Sequence, residues 1–283
     1  MSENAKEQTL LIKPKKNLFD INFIELWHYR DLIKLMVRRD FVAQNKQTVL
    51  GPLWFVITPL VSVLVYAVVF KGIAGISTEG IPPILFYMTG LTLWGYFSGT
   101  LSATSNVFVA NAAIFGKVYF PRLVSPISVT ISSIFRFLVQ MGLLLVILIC
   151  YSIGGYNFHF SIYTLLIPVV FLIATIFALG VGIIISSLTT KYRDFRNILA
   201  LVIQLWMYAT PIIYPVSIIP EKFRWISEAN PMTPLIEAFK FGIIGVGTVS
   251  TTAFLYSAIV SIVILSIGVL MFNKVENTFM DTV

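Results

Sequence analysis

The sequence predicts an all-α integral membrane protein: six transmembrane helices, an N-terminal amphipathic interfacial helix before them, and re-entrant outer helices between spans five and six. Three observations predict it. Lys, Arg, Asp and Glu make up only 12% of the chain, about half the share of a soluble domain, and mean hydropathy is +0.88. Uncharged apolar runs recur, beginning with Leu53 to Phe70, and about 20 such residues let a helix cross a hydrocarbon core about 30 Å thick. Of the 20 Lys and Arg, 15 fall in segments assigned to one side of that topology and four to the other, with Arg136 inside a span. The excess marks the cytoplasmic side and puts both termini there.

Taken in order, residues 1–21 are polar, with Lys13, Lys15 and Lys16 around Pro14, and read as a cytoplasmic tail. Residues 22–48 carry the amphipathic helix. Leu26, Tyr29, Ile33, Met36 and Val37 share one face at helical spacing, and Arg30, Lys34 and Arg38 form an i, i+4 row on another. Asp40 falls on the apolar side and Phe41 off it, so the pattern is imperfect. A basic amphipathic helix ahead of a span lies in the headgroup plane; a soluble helix packing on a partner protein is the alternative. The transmembrane domain occupies 49–283. It opens at Gly51-Pro52, where glycine permits a change of direction and proline suits the first helical turn.

The spans fall at about 53–70, 84–109, 124–151, 163–188, 198–213 and 253–272. The second holds Gly90, Gly95, Gly99 and a run of Ser and Thr, which allow close packing and hydrogen bonds between helices. Between the second and third spans lies a short segment, 113–122, with Lys117 and Arg122. Residues 189–197 are the densest charge cluster outside the head. Pro211, Pro215, Pro220, Pro231 and Pro234 then punctuate the chain, and 235–246 is apolar but too short to cross. Short, proline-broken apolar segments read as re-entrant or interfacial helices, here 216–245. A short polar tail with Lys274 and Glu276 follows the last span.

Several function classes are disfavoured. The net charge of +7 sits mostly in the head and two loops, where it reads as orientation and attraction to anionic membrane lipids, not as a nucleic-acid surface. The single cysteine, Cys150, permits neither an intrachain disulfide nor a cysteine metal site. No G-x-x-x-x-G-K-[ST] loop occurs: Gly116-Lys117 lacks the upstream glycine and the following hydroxyl. The chain is therefore expected to bind no nucleotide and no other cofactor. The spans hold no Asp or Glu, which argues against a carrier driven by protons or sodium. His28 and His159 have no acids arranged around them as a catalytic set, so no catalytic residue is assigned.

Arg136 is the one charge inside a span, at a cost of about 2.5–3.5 kcal/mol for a cation at a helix centre. Two roles are open. It faces a cavity and meets an anionic headgroup such as a phosphate, which guanidinium geometry suits, or it pairs with carbonyls or snorkels to the cytoplasmic face. Arg30, Lys34 and Arg38 join it as candidates for admitting a lipid headgroup. Trp54, Phe86, Tyr87, Trp94, Tyr96, Trp206, Tyr208 and Tyr214 are candidate conduit rings, because an aromatic face suits the C–H side of a sugar and a polar tip its hydroxyls. Anchoring and packing are the other roles such rings take.

Four motifs in order resemble a known family. Thr48-Val49-Leu50-Gly51-Pro52-Leu53-Trp54 with Pro59, then Tyr192-Arg193-Asp194-Phe195-Arg196, Thr210-Pro211-Ile212-Ile213-Tyr214 and Asn230-Pro231-Met232-Thr233-Pro234, look like those of permeases of polysaccharide and polyol-phosphate exporters. These are type-2 ABC transporters of O-antigen, capsule or teichoic acid. The resemblance runs from the amphipathic helix to the last span. It implies a homodimer in the bacterial inner membrane with two copies of an ABC ATPase subunit, which carries ATP and Mg. It implies coupling to that subunit through Ile114, Phe115, Lys117, Tyr119, Pro121 and Arg122, with Tyr192, Arg193, Asp194 and Arg196. It implies an outer gate that includes Pro211, Pro215, Asn230, Pro231 and Pro234, and a lipid-linked glycan as substrate, O-antigen on undecaprenyl pyrophosphate foremost. An exporter of teichoic acid, drugs or small lipids is the alternative within the architecture; a membrane-bound glycosyl- or acyltransferase is the alternative outside it.

Overall fold

The computed structural model describes residues 23–45, 48–115, 117–118, 120–156, 162–189, 192 and 194–279. The tail 1–21, Tyr119 and Arg193 lie outside the described residues. Helices make up the fold, and no strand occurs among the described residues.

The amphipathic segment forms two helices, α1 (Phe23–His28) and α2 (Arg30–Asn45), with a turn at Tyr29. The chain then reverses at Gly51, whose φ of +51° suits glycine, and Pro52 sits in the first turn of the next helix. That helix runs from Gly51–Leu53 through α3 (Trp54–Tyr66) into a π-helical stretch, Ala67–Ile73. The second expected span is α4 (Pro83–Ser105), which stops short of 109; two short helices follow, α5 (Val107–Ala110) and α6 (Ala112–Phe115). The third is α7 (Val124–Ile153), and the fourth is the turn Ile162–Leu166 leading into α8 (Ile167–Thr189).

The fifth expected span, 198–213, is instead α9 (Phe195–Ala209). It ends four residues early because Pro211 offers no amide hydrogen to continue the ladder. Its 15 residues rise about 22 Å, short of a full hydrocarbon crossing. The proline-rich segment forms α10 (Glu221–Ala229) and α11 (Met232–Ile244), and α12 (Thr251–Phe279) closes the described chain. Four helices among the described residues are long and apolar enough to cross a membrane: Gly51–Ile73, Val124–Ile153, Ile162–Thr189 and Thr251–Val275. The 23-residue α4 is equally long but rich in Gly, Ser and Thr.

That polarity goes with position. α3, α7, α8, α9 and α11 all pack on α4, and Leu85, Phe86, Tyr87, Met88, Phe97 and Leu101 on it are fully buried. Four of its hydroxyls turn back on their own helix, among them Thr89 to the Leu85 carbonyl and Thr92 to that of Met88, both at 2.8 Å. Bonds between helices are fewer, among them Tyr96–Thr175 at 2.8 Å and Thr189 to the Ser105 carbonyl at 3.3 Å. The closest approaches come at glycines other than those of the second span: a Cβ on Gly182 of α8 would stand 2.6 Å from Thr104 Cβ of α4, and backbones come closest where α8 crosses α12. A Cβ built on Gly180 would stand 2.7 Å from the Leu265 nitrogen, and one on Gly268 2.8 Å from the Gly180 carbonyl oxygen. Lipid is as apolar as a helix surface, so close approach of this kind, more than apolar burial, holds membrane helices together.

Large apolar side chains remain exposed on α3 (Val61, Leu64, Val65), α9 (Leu201, Val202, Leu205) and α12 (Ile259, Ile262, Val263). In water such surfaces would be a liability; in a bilayer they suit lipid or another helix.

Candidate functional site

Residues singled out from sequence gather at the two ends of the bundle. At the first end α2 lies along α7. Its apolar row turns onto α7 of its own chain, with Met36 2% exposed and the Ser128 hydroxyl 3.7 Å from its sulfur. The two misfits of the pattern have partners. Asp40 accepts from Arg39 at 2.8 Å, and Phe41 meets Phe135 of α7 edge-on at 4.8 Å. The Arg39 guanidinium also donates to Asn111 Oδ1 at 3.1 Å, which pins α2 to the turn between α5 and α6. The amphipathic helix is thus packed on its own chain, while Ile24, Trp27 and Leu35 stay exposed.

Between α2, the start of α3 and α7 lies a groove of about 420 Å³ lined by Lys34, Val37, Arg38, Phe55, Phe135 and Arg136, among others. Three of the four cations assigned to headgroup admission come together here; Arg30 does not line it. The groove also fixes the depth of Arg136, whose guanidinium stands 6.0 Å from the Phe55 ring centroid, level with the first turn of the first span. The 17 residues from there to the end of α7 at Ile153 rise about 26 Å, most of a hydrocarbon core. Arg136 is therefore level with the start of the first apolar helix, as the snorkelling alternative requires. An apolar trough with cations at its rim suits an amphiphile carrying phosphate.

The candidate coupling segment is only partly on the surface. Lys117 is exposed, but Phe115, Pro121 and Arg122 are buried, with Arg122 5.5 Å from the Phe115 ring centroid. Phe115 stacks into a cluster with Met36, Phe108, Phe120, Val124, Ile183 and Phe272, and Phe108 lies 4.4 Å from Phe272. Ile114 is half-buried against it. Tyr192, Asp194 and Arg196 are exposed. Asp194 and Arg196 line a polar cleft of about 410 Å³ with Ser102, Ser105, Asn106 and Asn197, apart from the segment at Lys117.

At the opposite end the two proline motifs meet. Asn230 Oδ1 accepts from Trp206 Nε1 and from the Met232 amide, both at 3.0 Å. Its Nδ2 donates to Thr210 Oγ1 at 2.8 Å, and Tyr214 donates to the Tyr208 carbonyl at 2.7 Å. Pro211 and Pro215 are buried, whereas Pro231 and Pro234 are half-buried. Sequence reasoning missed two residues here. Glu237 and Lys240 are 4% and 0% exposed within the segment 235–246 that reads as apolar; the signal is an opposite-charge pair at i, i+3 inside it. Lys240 Nζ donates to the Pro211 carbonyl at 2.6 Å, and Glu237 Oε2 accepts from the Thr248 amide at 3.1 Å.

The candidate conduit rings divide. Phe86, Tyr87, Trp94 and Tyr96 are 0–4% exposed, because α4 is walled in on every side, so in this structure they pack the core and line no passage. Trp54 and Tyr208 are 47% exposed, and Trp206 and Tyr214 are half-buried, so these four remain reachable from outside the chain. Trp206 also wedges against Phe97 and Phe177, at 5.3 and 5.7 Å. No group of His, Cys, Asp and Glu able to hold a metal occurs among the described residues.

Four long apolar helices, three of them packed on a polar central helix, with a cation-rimmed groove at one end and proline motifs knotted at the other, define a multi-pass membrane protein. Residues 31–244 match the family model described as ABC-2 type transporter, and the chain belongs to that family. It is 31% identical over 256 residues to the O-antigen export system permease protein RfbA of Klebsiella pneumoniae, covering 89% of this chain and 94% of that one. It is 31% identical over 219 residues to the RfbA of Myxococcus xanthus, at 76% and 81% coverage. It is 21% identical over 262 residues to the capsule polysaccharide export inner-membrane protein CtrC of Neisseria meningitidis, at 89% and 94% coverage.

Proposed function

We propose that this chain is the permease subunit of an ATP-driven polysaccharide exporter of the bacterial inner membrane, with O-antigen on undecaprenyl pyrophosphate as its cargo. The observation that carries the reading is end-to-end similarity to permeases named for O-antigen export. The cation-rimmed groove adds a place where a lipid-linked, phosphate-bearing substrate fits. In this reading α4 and α9 join the four apolar helices as spans, giving six, with both termini in the cytoplasm and α10 and α11 as outer gate helices. The functional unit is a homodimer with two ABC ATPase subunits, which hold ATP and Mg.

The chemistry divides by end. Lys34, Arg38 and Arg136 neutralise the lipid phosphate while the apolar trough takes the first isoprene units. Lys117 and the exposed residues Tyr192, Asp194 and Arg196 offer polar contacts to the ATPase. Beneath Lys117, the aromatic cluster around Phe115 joins α2, α5, α6, α7, α8 and α12, so a push on the segment is passed on by packed rings. The conduit wall is drawn from Trp54, Trp206, Tyr208 and Tyr214.

The test is a chromosomal deletion, complemented by the wild-type gene. Long surface glycan is lost and lipid-linked glycan accumulates inside. Full-length surface glycan in the deletion strain would refute the proposal.

A further inference from the structure

We infer that Lys240 is a positioning residue for the exit: its buried ammonium latches the turn 210–214, at the end of α9, onto α4 and α11. The inference rests on the reading of α9 to α11 as the outer end of a passage. Three elements converge on this side chain. Its Nζ donates to the Pro211 carbonyl at 2.6 Å and stands 4.0 Å from the Phe86 ring centroid, while its own helix is α11. Glu237, three residues before it, holds the loop after α11 through the Thr248 amide at 3.1 Å. Gly90 of α4 makes the room: a Cβ there would stand 3.1 Å from Ile212 Cγ2 and 3.4 Å from Lys240 Cε.

A fully buried cation is costly unless it has partners, and an apolar side chain of like length fills such a volume at no charge penalty. What the ammonium supplies is preference among geometries. With the turn seated, it has a carbonyl acceptor and an aromatic face; with the turn lifted, it is left desolvated and without that acceptor. The turn and α11 therefore part only when Lys240 gains another acceptor or water. Asn230, in the junction just before α11, bonds both Trp206 and Thr210, so it ties the end of α9 to α11 beside the Lys240 contact. Opening of this end therefore requires release of Pro211 from Lys240 together with the Asn230 bonds.

The test uses the permease–ATPase complex in proteoliposomes loaded with a small polar dye, with export of lipid-linked glycan measured alongside. Lys240→Met should assemble with an unchanged melting temperature and raise nucleotide-independent dye leak about tenfold or more, the factor set by one charged hydrogen bond. A folded Lys240→Met complex as tight to dye as wild type overturns the latch, because a merely structural lysine would leave the leak unmoved.

Should Lys240→Met fail to assemble, Gly90→Cys with Ile212→Cys in a Cys150→Ser background decides. The disulfide, read by its gel shift, should stop export and reductant should restore it; export unaffected by the closed disulfide overturns the latch. Dye leak in Lys240→Met alongside a wild-type complex that moves no glycan would contradict the proposed cargo and leave the latch standing.

Discussion

Replacing Met36 by Ala tests whether the amphipathic helix is part of the permease body. Met36 is 2% exposed at the junction of α2 and α7, in the cluster that includes Phe108 and Phe115, with the Ser125 and Ser128 hydroxyls 4.0 and 3.7 Å from its sulfur. Truncating a buried Met to Ala costs about 2–5 kcal/mol. The Arg39–Asn111 bond adds less, because the Arg39 side chain is 41% exposed and solvent screens it. If the loss falls wholly on docking of α2, even the lower figure raises the undocked population about 30-fold. The assay is limited proteolysis of the membrane-embedded complex, scoring cuts within 23–45. With reclosing faster than cleavage, the rate follows the open population. Met36→Leu conserves volume and should cost less than about 1.5 kcal/mol, so its cleavage should rise less than about 12-fold and stay below that of Met36→Ala. A Met36→Ala cleavage rate within twofold of wild type would refute the docking account and return α2 to the lipid surface.

Other outcomes follow from the same geometry. Arg136→Ala should lower glycolipid-stimulated ATPase of the complex with little change in melting temperature; unchanged transport would remove the phosphate role. Gly180→Ala puts a methyl 2.7–2.8 Å from the Leu265 backbone and should cost about 1–3 kcal/mol by overpacking. Gly99→Ala, with nothing within 4 Å of its Cβ, should melt as wild type does. Asn230→Ala removes three hydrogen bonds, at about 1 kcal/mol apiece, and should lower the melting temperature clearly; equal melting would show that the proline motifs are not knotted through Asn230.

Legibility followed the physics of each element. Long uncharged runs and Gly51-Pro52 were plain because crossing a bilayer is a one-dimensional demand on length and polarity. The inward row of α2 was plain because helical period is local. What failed to show was tertiary. Asp40 and Phe41 looked like errors until Arg39 and Phe135 stood beside them. For Phe86, Tyr87, Trp94 and Tyr96 conduit and packing both stay open in the sequence, because nothing in their spacing says that α4 is enclosed. The level of Arg136 could not be read from its own span because it depends on where the neighbouring helix begins, and Lys240 was passed over because burial of one charge among many apolar residues depends on which turn folds over it.

The most direct measurement is ATP-dependent translocation of lipid-linked glycan into sealed vesicles containing this chain, its ATPase partner, or both. Translocation only when the two are combined, with no nucleotide hydrolysis by this chain alone, is the expected result. Hydrolysis by the purified chain, or translocation driven by the ATPase without it, would contradict the division of labour on which the account rests.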